Sequence, residues 1–338
     1  MCRVLLAFSG GIDSCTAAAK LLAEGCDVTA LTLDMTGDTE LLVKAKAAAE
    51  NIGVKHITCD VRHEFKEKII DYFAQSYMAG RTPAPCSVCN PVIKWRFLVE
   101  QADALGIEKI ATGHYFNVER EGDLYYVAKA GDAAKDQSYY LWDLPQSVLV
   151  RALTPMGNLI KERVKENFAD KRESMGVCFL AGRSYRDFMM QHYPESFRRG
   201  DVVTADGRKV GGHDGVAFYT IGQKRGFETE VQGMAVVDID AGHNLLIVGD
   251  NSDLYKQTLE LHNCNVISQE ELLSATDIRV VVRGLGRNPQ GFARCIEPVE
   301  GGYRITLDDA AWAPALGQPI VLYHGRRVVG GGFLSNCY

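Results

Sequence analysis

The sequence predicts an α/β fold: a domain built on a parallel β-sheet, then a small β-rich central domain and a C-terminal β-barrel. In about the first 115 residues, short apolar runs alternate with segments of helical periodicity, as in a parallel sheet covered by helices. After about Ser184, short β-type runs separated by glycines dominate, which is typical of small barrels and sandwiches. The predicted domain boundaries are 1–183, 184–256 and 257–338.

The first part of the chain alternates strand and helix in order. Its predicted strands are RVLLAF, DVTALTL, KHITCDV and KIATGHY. Gly25 ends the first predicted helix, DSCTAAAKLLAEG, and Gly53 ends the second, TELLVKAKAAAENIG, which is capped by Asp38 or Thr39. Two further helices are predicted over HEFKEKIIDYFAQSYMAG and, starting at Pro91, over PVIKWRFLVEQADALG. The later β-type runs are MAVVDID, NLLIVGD, DIRVVVRG, YRITLD and PIVLYHGRRVVGGGF.

Composition and charge restrict the possible functions. No run among the 338 residues approaches the ~20 apolar residues that span a bilayer, and the N-terminus shows no signal-peptide cleavage pattern, so we expect a cytoplasmic protein without membrane partners. The formal net charge of −6 argues against a uniformly basic nucleic-acid binder. Residues 151–225, however, carry 14 Lys and Arg against 9 Asp and Glu. This basic segment either docks a polyanion or consists of solvated helix faces.

Three of the ten cysteines stand among turn residues, whereas most others lie in apolar or β-type runs. A cytosolic chain keeps its thiols reduced, so structural disulfides are not expected. Cys86 and Cys89 occupy the Pro-bounded stretch TPAPCSVCNP, and Cys178 follows a glycine in MGVCFL. Cys89 stands just ahead of the helix predicted from Pro91, a position that lowers a thiol pKa. One thiol to carry sulfur and a second to resolve it would form a persulfide pair.

A glycine turn, FSGGIDS, joins the first strand to the first helix. Ligands of open α/β sheets bind beyond the carboxyl ends of the strands, where a helix N-terminus favours anions. Gly10 and Gly11 let the backbone approach an oxygen-rich group, Ser9 and Ser14 add hydroxyl donors, and Asp13 can order the turn or hold a cation. The stretch lacks the Lys–Ser/Thr pair of a Walker loop.

The turn resembles the SGGxDS signature of the PP-loop ATP pyrophosphatases, which bind ATP and release pyrophosphate. Further stretches resemble the tRNA-specific 2-thiouridylases within that family: TPxPxxxCNxxIKW, ATGHY, KDQSYYLW, MGVCFL with RSYRDF, GGHDGVAFYTIGQKRG and LGQPIVLYHGRRVVGGGFL. They run from the first strand to the last ten residues in the family's order. The resemblance implies a PP-loop catalytic domain, a central tRNA-binding domain, ATP and Mg²⁺ as cofactors, and the tRNA anticodon arm and a persulfide-donor protein as partners.

The resemblance also assigns residues. Those implied at the ATP site are Ala7, Phe8, Ser9, Gly10, Gly11, Ile12, Asp13, Ser14, Leu33 and Gly113. Those implied to touch tRNA are His114, Lys135, Asp136, Gln137, Arg283 and Gln318. Cys89 is implied as the nucleophile and Cys178 as the persulfide carrier. In the implied reaction ATP adenylates the C2 oxygen of the wobble uridine, and sulfur from Cys178 then replaces it.

The chain departs from the family at Cys86, where members carry an Asp proposed as an acid–base group. An ordinary thiol pKa differs from that of a carboxyl by several units, so the equivalent role of Cys86 is open. The stretch after the second strand, LDMTGDTELL, is also shorter than usual and lacks the customary Lys-Asn-Trp. Cys86, Cys89 and Cys178 are alternatively three potential ligands of a [4Fe–4S] cluster.

Three other functions are weighed against 2-thiolation of the wobble uridine. A paralogue could have altered sulfur chemistry, possibly iron–sulfur dependent, or act at another tRNA position. A PP-loop amidotransferase or synthetase would lack the distant cysteines and the β-rich second half. A tRNA-binding protein without activity would not need an intact SGGIDS turn.

Overall fold

The computed structural model describes residues 2–166, 176–284 and 286–338. The strands of this part of the chain are β1 (Arg3–Ala7), β2 (Asp27–Asp34), β3 (Lys55–Asp60), β4 (Lys109–Thr112), β5 (Asn117–Glu121), β6 (Leu124–Ala128), β7 (Ala152–Leu153), β8 (Gly200–Thr204), β9 (Lys209–His213), β10 (Glu228–Thr229), β11 (Ala235–Asp240), β12 (Leu245–Gly249), β13 (Tyr255–Val266), β14 (Ile278–Val281), β15 (Ala293–Val299), β16 (Gly302–Trp312), β17 (Pro319–His324) and β18 (Arg327–Cys337).

Helical segments alternate with these strands. The α-helices are α1 (Ile12–Ala23), α2 (Thr39–Ile52), α3 (Arg62–Phe65), α4 (Tyr72–Met78), α5 (Pro85–Cys89), α6 (Arg96–Ala104), α7 (Gln146–Leu149), α8 (Lys161–Glu166), α9 (Tyr185–His192) and α10 (Gln269–Ser274). Two π-helical segments, Lys66–Asp71 and Asn90–Trp95, and short 3₁₀ turns, among them Ser138–Leu141 and Cys178–Leu180, complete the list.

The chain divides into two compact units. The first contains Met1–Ile69, Cys86–Met175 and Arg326–Val328, and the second contains Ile70–Pro85, Gly176–Gly325 and Val329–Tyr338.

A five-stranded parallel sheet, in the order β3-β2-β1-β4-β7, forms the centre of the first unit. Leu6 of β1 lies opposite Ala30 of β2 and Ala111 of β4, and all three belong to a core shared with α1 and α2. Leu5 points to the opposite face and is also fully buried. Both faces of the sheet are therefore covered, as in parallel α/β domains, and the predicted fold class is confirmed.

The ends of α2 follow the sequence signals. The Asp38 side chain caps the helix by accepting a hydrogen bond from the Leu41 N–H at 3.1 Å. Gly53 ends it with a φ of +80°, the left-handed conformation that glycine adopts without strain. The short turn after β2 closes through Asp34, whose carboxylate accepts the Gly37 N–H at 2.7 Å.

The helix predicted from Pro91 begins earlier than expected. It starts at Pro85 as α5, continues through the π-helical segment Asn90–Trp95 and ends as α6. Pro85 suits a first helical position because its ring presets φ and its missing N–H is not needed there. Pro91 also lacks an N–H, but it lies within the wider π turn and does not mark the beginning of a helix. Cys89 consequently lies inside a helical run and not ahead of one.

The second unit is rich in β-structure, as predicted. One sheet has five strands in the order β10-β9-β8-β12-β11. A longer sheet runs β14-β17-β18-β13-β16-β15. An isolated antiparallel bridge joins Arg279 of β14 to Phe292, the residue before β15, so the two edge strands of this sheet come together as in the predicted C-terminal barrel. Among the described residues, no helix is both long and apolar enough to cross a bilayer.

Gly10 packs against α2 at a distance that excludes any side chain. Its φ is +70°, and a Cβ there would lie 2.8 Å from the Cα of Ala45. Gly25 has a similar φ of +80° but open space around it, so it provides a matched control.

We expect Gly25→Ala to lower the free energy of unfolding by about 1–2 kcal/mol, the cost of a left-handed alanine. Gly10→Ala should cost a further ~1–3 kcal/mol, because the methyl group must displace α2. Urea unfolding followed by circular dichroism measures both. Equal losses in the two variants would show that the contact with α2 is unimportant.

Candidate functional site

A cavity of about 280 Å³ opens at the carboxyl ends of β1, β2 and β4 in the first unit, where ligands of parallel sheets bind. It is lined by Ala7, Phe8, Ser9, Asp13, Ser14, Leu31, Thr32, Leu33, Met35, Leu41, Lys94, Thr112, Gly113, His114 and Gln137. Seven of the ten residues predicted at the ATP site are in this set. The other three, Gly10, Gly11 and Ile12, do not line the cavity.

Hydrogen bonds within the turn fix the positions of Ser9 and Ser14, which line the cavity. Ser14 Oγ donates to the Gly11 carbonyl at 3.0 Å and accepts from the Ser9 N–H at 3.3 Å. Gly10 faces α2, and a Cβ on Gly11 would touch Ser9 Oγ at 3.3 Å. The sequence prediction that both glycines make room for a ligand is therefore too simple, because the space at Gly10 is taken by α2.

Gly113 lets the chain after β4 pass directly over the start of α1. A Cβ on Gly113 would lie 3.0 Å from the Ser14 nitrogen and 3.1 Å from the Asp13 carbonyl carbon. Any larger residue would push the two segments apart.

Asp13 is held by two residues, Lys161 and Tyr115, to which the sequence assigned no role. Its Oδ1 accepts hydrogen bonds from the Lys161 Nζ at 2.5 Å and from the Tyr115 hydroxyl at 2.9 Å. Lys161 is buried, with 4% of its surface exposed. Its backbone N–H donates a hydrogen bond to Asp132 Oδ2 at 2.9 Å. Asp13 therefore orders the turn, which is one of the two roles that the sequence suggested for it. Lys161 lies 148 residues away in the chain, so no local pattern could reveal it.

His114 lines the cavity beside Thr112, whose Oγ lies 2.9 Å from His114 Nδ1. Burial, and secondly the charge of Lys94, lower the pKa of His114 to about 3. The imidazole is therefore neutral at physiological pH. Lys94 also lines the cavity and was not singled out from the sequence.

The segment from Lys135 to Gln137 is fixed by hydrogen bonds. Gln137 Oε1 accepts the Tyr115 N–H at 2.9 Å, and the Gln137 N–H donates to the Tyr115 carbonyl. Asp136 accepts the Ala130 N–H at 2.9 Å, and the Lys135 N–H donates to the Asp132 carbonyl. Of these three predicted tRNA contacts, only Gln137 lines the cavity.

Cys89 ends α5 and is buried, with 4% of its surface exposed. The prediction that Cys89 stands just ahead of a helix is therefore wrong for this structure. The adjacent Ser87 Oγ and Asn90 Oδ1 are buried polar atoms without a hydrogen-bond partner in the described structure. Such atoms often mark the place of a bound ligand or water. Cys86 is half-buried near Tyr140, whose pKa is raised by burial and by the Cys86 charge.

The other predicted site residues lie in the second unit. Cys178 is exposed and begins a short 3₁₀ turn, and the next residue, Phe179, packs edge-on against Phe73. Arg283 donates to the Ala313 carbonyl at 2.6 Å. Gln318 donates to the carbonyls of Thr82 and Pro83 at 3.1 and 3.0 Å, so its amide supports the chain that leads into α5.

No group of three or more His, Cys, Asp or Glu side chains able to hold a metal ion occurs in the part of the chain that the structure describes. The hypothesis of an iron–sulfur cluster on Cys86, Cys89 and Cys178 therefore has no structural support.

The depressed pKa of His114 predicts a pH-dependent stability. Above pH 6.5, the ordinary pKa of histidine, the neutral His114 makes its full contribution to stability. As the pH falls from 6.5 towards about 3, the unfolded chain binds a proton at this histidine and the folded chain does not, so this contribution is lost. Between about pH 6.5 and 5, the free energy of unfolding of the parent should fall by up to ~1.4 kcal/mol per pH unit more than that of His114→Gln. Urea titrations at several pH values measure this slope, and parallel slopes in the two proteins would contradict the assignment.

Comparisons of this chain with family models and with curated proteins point to the same family. Residues 2–182 match the family described as the tRNA methyl transferase HUP domain, and residues 186–250 match the tRNA methyl transferase PRC-barrel domain. Among curated relatives, tRNA-specific 2-thiouridylase MnmA 3 of Bacteroides fragilis is 36% identical over 99% of this chain and 94% of its own length. The tRNA-specific 2-thiouridylase MnmA of Salinibacter ruber is 36% identical over 98% of this chain and 94% of its own.

A further relative, tRNA-specific 2-thiouridylase MnmA of Treponema denticola, is 34% identical over 99% of this chain and 98% of its own length. The similarity thus extends over both units and is not confined to the glycine turn. The chain belongs to the tRNA-specific 2-thiouridylase family.

Proposed function

We propose that this protein catalyses the ATP-dependent 2-thiolation of the wobble uridine of tRNA. The observation that carries the proposal is the nearly end-to-end similarity to relatives named tRNA-specific 2-thiouridylases. The cavity at the SGGIDS turn supports it, because it lies where a parallel sheet binds nucleotides and holds most of the residues predicted to bind ATP.

We propose that ATP binds in this cavity. The apolar side chains of Leu33, Met35 and Leu41 suit the adenine, while the hydroxyls of Ser9 and Ser14 suit the phosphates. Gly10, Gly11 and Ile12 contribute by shaping the turn. Mg²⁺ would be held by the phosphate oxygens of ATP and would neutralise part of their charge.

The reaction proceeds by two displacements. The C2 oxygen of uridine attacks the α-phosphorus of ATP, the bond to the bridging oxygen breaks, and pyrophosphate leaves with the electron pair. The terminal sulfur of a persulfide on Cys178 then attacks C2, and AMP leaves with the original oxygen. A base undergoing this chemistry must leave the stack, which an anticodon loop permits at low cost.

Cys89 completes the sulfur transfer. Its thiolate attacks the Cys178 sulfur, a Cys89–Cys178 disulfide forms, and the displaced sulfur remains on C2 as the thiocarbonyl. A cellular dithiol then reduces the disulfide, and a sulfur-donor protein reloads Cys178. Because Cys89 is buried, it must become accessible during the cycle. The role of Cys86, which lies near Tyr140, stays open in this scheme.

The anticodon arm of tRNA is the proposed partner. His114, Lys135, Asp136 and Gln137 of the first unit, and Arg283 and Gln318 of the second, are its proposed contacts. The net positive segment 151–225 supplies charge for the phosphates.

We further propose a catalytic domain over 1–183, a central tRNA-binding domain over 184–256 and a barrel over 257–338. The family matches at 2–182 and 186–250 support the first boundary. We place the reaction in the cytoplasm, where thiols stay reduced between turnovers. A paralogue with iron–sulfur chemistry is not favoured, since the relatives are named 2-thiouridylases.

The central test is replacement of single cysteines. We expect Cys89→Ser and Cys178→Ser each to lower 2-thiouridine formation at least ~1,000-fold, since a hydroxyl carries no transferable sulfur and forms no disulfide. Mass spectrometry of nucleosides from treated tRNA measures this product and separates it from a methylated base.

Exposed Cys295 provides the control, and Cys295→Ser should retain parental activity. Full activity of either Cys89→Ser or Cys178→Ser would contradict its assignment. In the same assay, an unchanged rate for Cys86→Ser would remove Cys86 from the mechanism.

A further inference from the structure

The cavity contains little positive charge for a ligand as anionic as ATP. Among the described side chains that line it, three are titratable: Asp13, Lys94 and His114. Asp13 carries a negative charge and would repel phosphates unless it were neutralised.

The ammonium of Lys161 neutralises the carboxylate of Asp13, so its charge does not also serve the phosphates. Its ammonium lies 2.5 Å from Asp13 Oδ1, is almost fully buried and does not line the cavity. A buried ammonium that lost this carboxylate would be strongly destabilised. Lys161 is therefore a partner of the turn and not a phosphate ligand.

His114 cannot supply the charge either. It is neutral at physiological pH because burial lowers its pKa to about 3. Lys94 lines the same cavity as His114, and its positive charge contributes to this shift.

Resting on the function proposed above, we infer that Lys94 is a catalytic residue that contacts the phosphates of ATP. Lys94 is the cation among the residues that line the described cavity. It belongs to the π-helical segment Asn90–Trp95, which begins one residue after Cys89. The continuous helical run from Pro85 to Ala104 thus carries both the proposed nucleophile, Cys89, and the proposed phosphate cation, Lys94.

The role of Lys94 follows from the charge changes of the reaction. When the bond from the α-phosphorus to its bridging oxygen breaks, the electron pair goes to pyrophosphate, and negative charge on the phosphate oxygens is redistributed. A fixed ammonium donates hydrogen bonds to these oxygens and stabilises the transition state. Lys94 keeps its own proton throughout.

Binding of adenosine, AMP and α,β-methylene-ATP to the full-length protein tests the inference without requiring turnover. Lys94→Met should weaken α,β-methylene-ATP binding about 10- to 100-fold, the value of a charge-assisted hydrogen bond, and leave adenosine binding unchanged. Lys94→Arg, which keeps the charge, should restore part of the loss. The control is Lys68→Met, an exposed lysine on the other π-helical segment, which should match the parent.

Two outcomes would overturn the inference: parental affinity of Lys94→Met for α,β-methylene-ATP, or an equal loss for all three ligands, which would indicate a merely structural role. Lys94→Gln replaces Lys94→Met if the latter fails to fold, as judged by thermal unfolding.

Kinetics separates this inference from the proposed function. We expect Lys94→Met to slow tRNA-dependent pyrophosphate release about 100-fold while tRNA affinity is retained. If the parent binds ATP through Lys94 but never thiolates tRNA, the proposed function fails and the inference about phosphate binding stands. If the parent thiolates tRNA and Lys94→Met does so at the same rate, only the inference fails.

Discussion

Two glycines set the distances on which the cavity depends. Gly10 lets α2 approach the turn after β1, and Gly113 lets the chain after β4 approach the first residues of α1. With a Cβ at either position, backbone atoms would lie about 3 Å from it or less, so the segments would have to separate. The positions of Ser9, Ser14 and Asp13 relative to α2 and to the end of β4 follow from this close packing.

Local signals predicted the elements that build the cavity. The apolar strands, the Asp38 cap and the Gly53 stop are properties of a few neighbouring residues, and the structure has them as expected. The start of α5 was missed because Pro91 resembles a helix beginning, whereas a π turn accommodates it inside the helix. Lys161 was missed because its importance arises from a contact made by folding. Lys94 stands in the stretch TPxPxxxCNxxIKW, but its importance follows only from the cavity that folding forms around it.

The first unit also shows how charge is arranged around the turn. Asp13 is neutralised by Lys161 and held by Tyr115, and Lys94 is the cation among the described residues that line the cavity. The Tyr115 backbone is in turn bonded to Gln137, a proposed tRNA contact. Residues proposed to bind nucleotide and residues proposed to bind tRNA thus share one hydrogen-bonded network, and the sulfur chemistry is assigned to cysteines outside it.

The central claim is that ATP activates the C2 oxygen of the wobble uridine, and isotope transfer tests it most directly. A tRNA labelled with heavy oxygen at C2 of that uridine is thiolated by the protein, and the released AMP and pyrophosphate are analysed by mass spectrometry. The account predicts one heavy oxygen in the phosphate of each AMP and none in pyrophosphate. Thiolated tRNA accompanied by unlabelled AMP would contradict it, because the oxygen would then have left C2 without being adenylated.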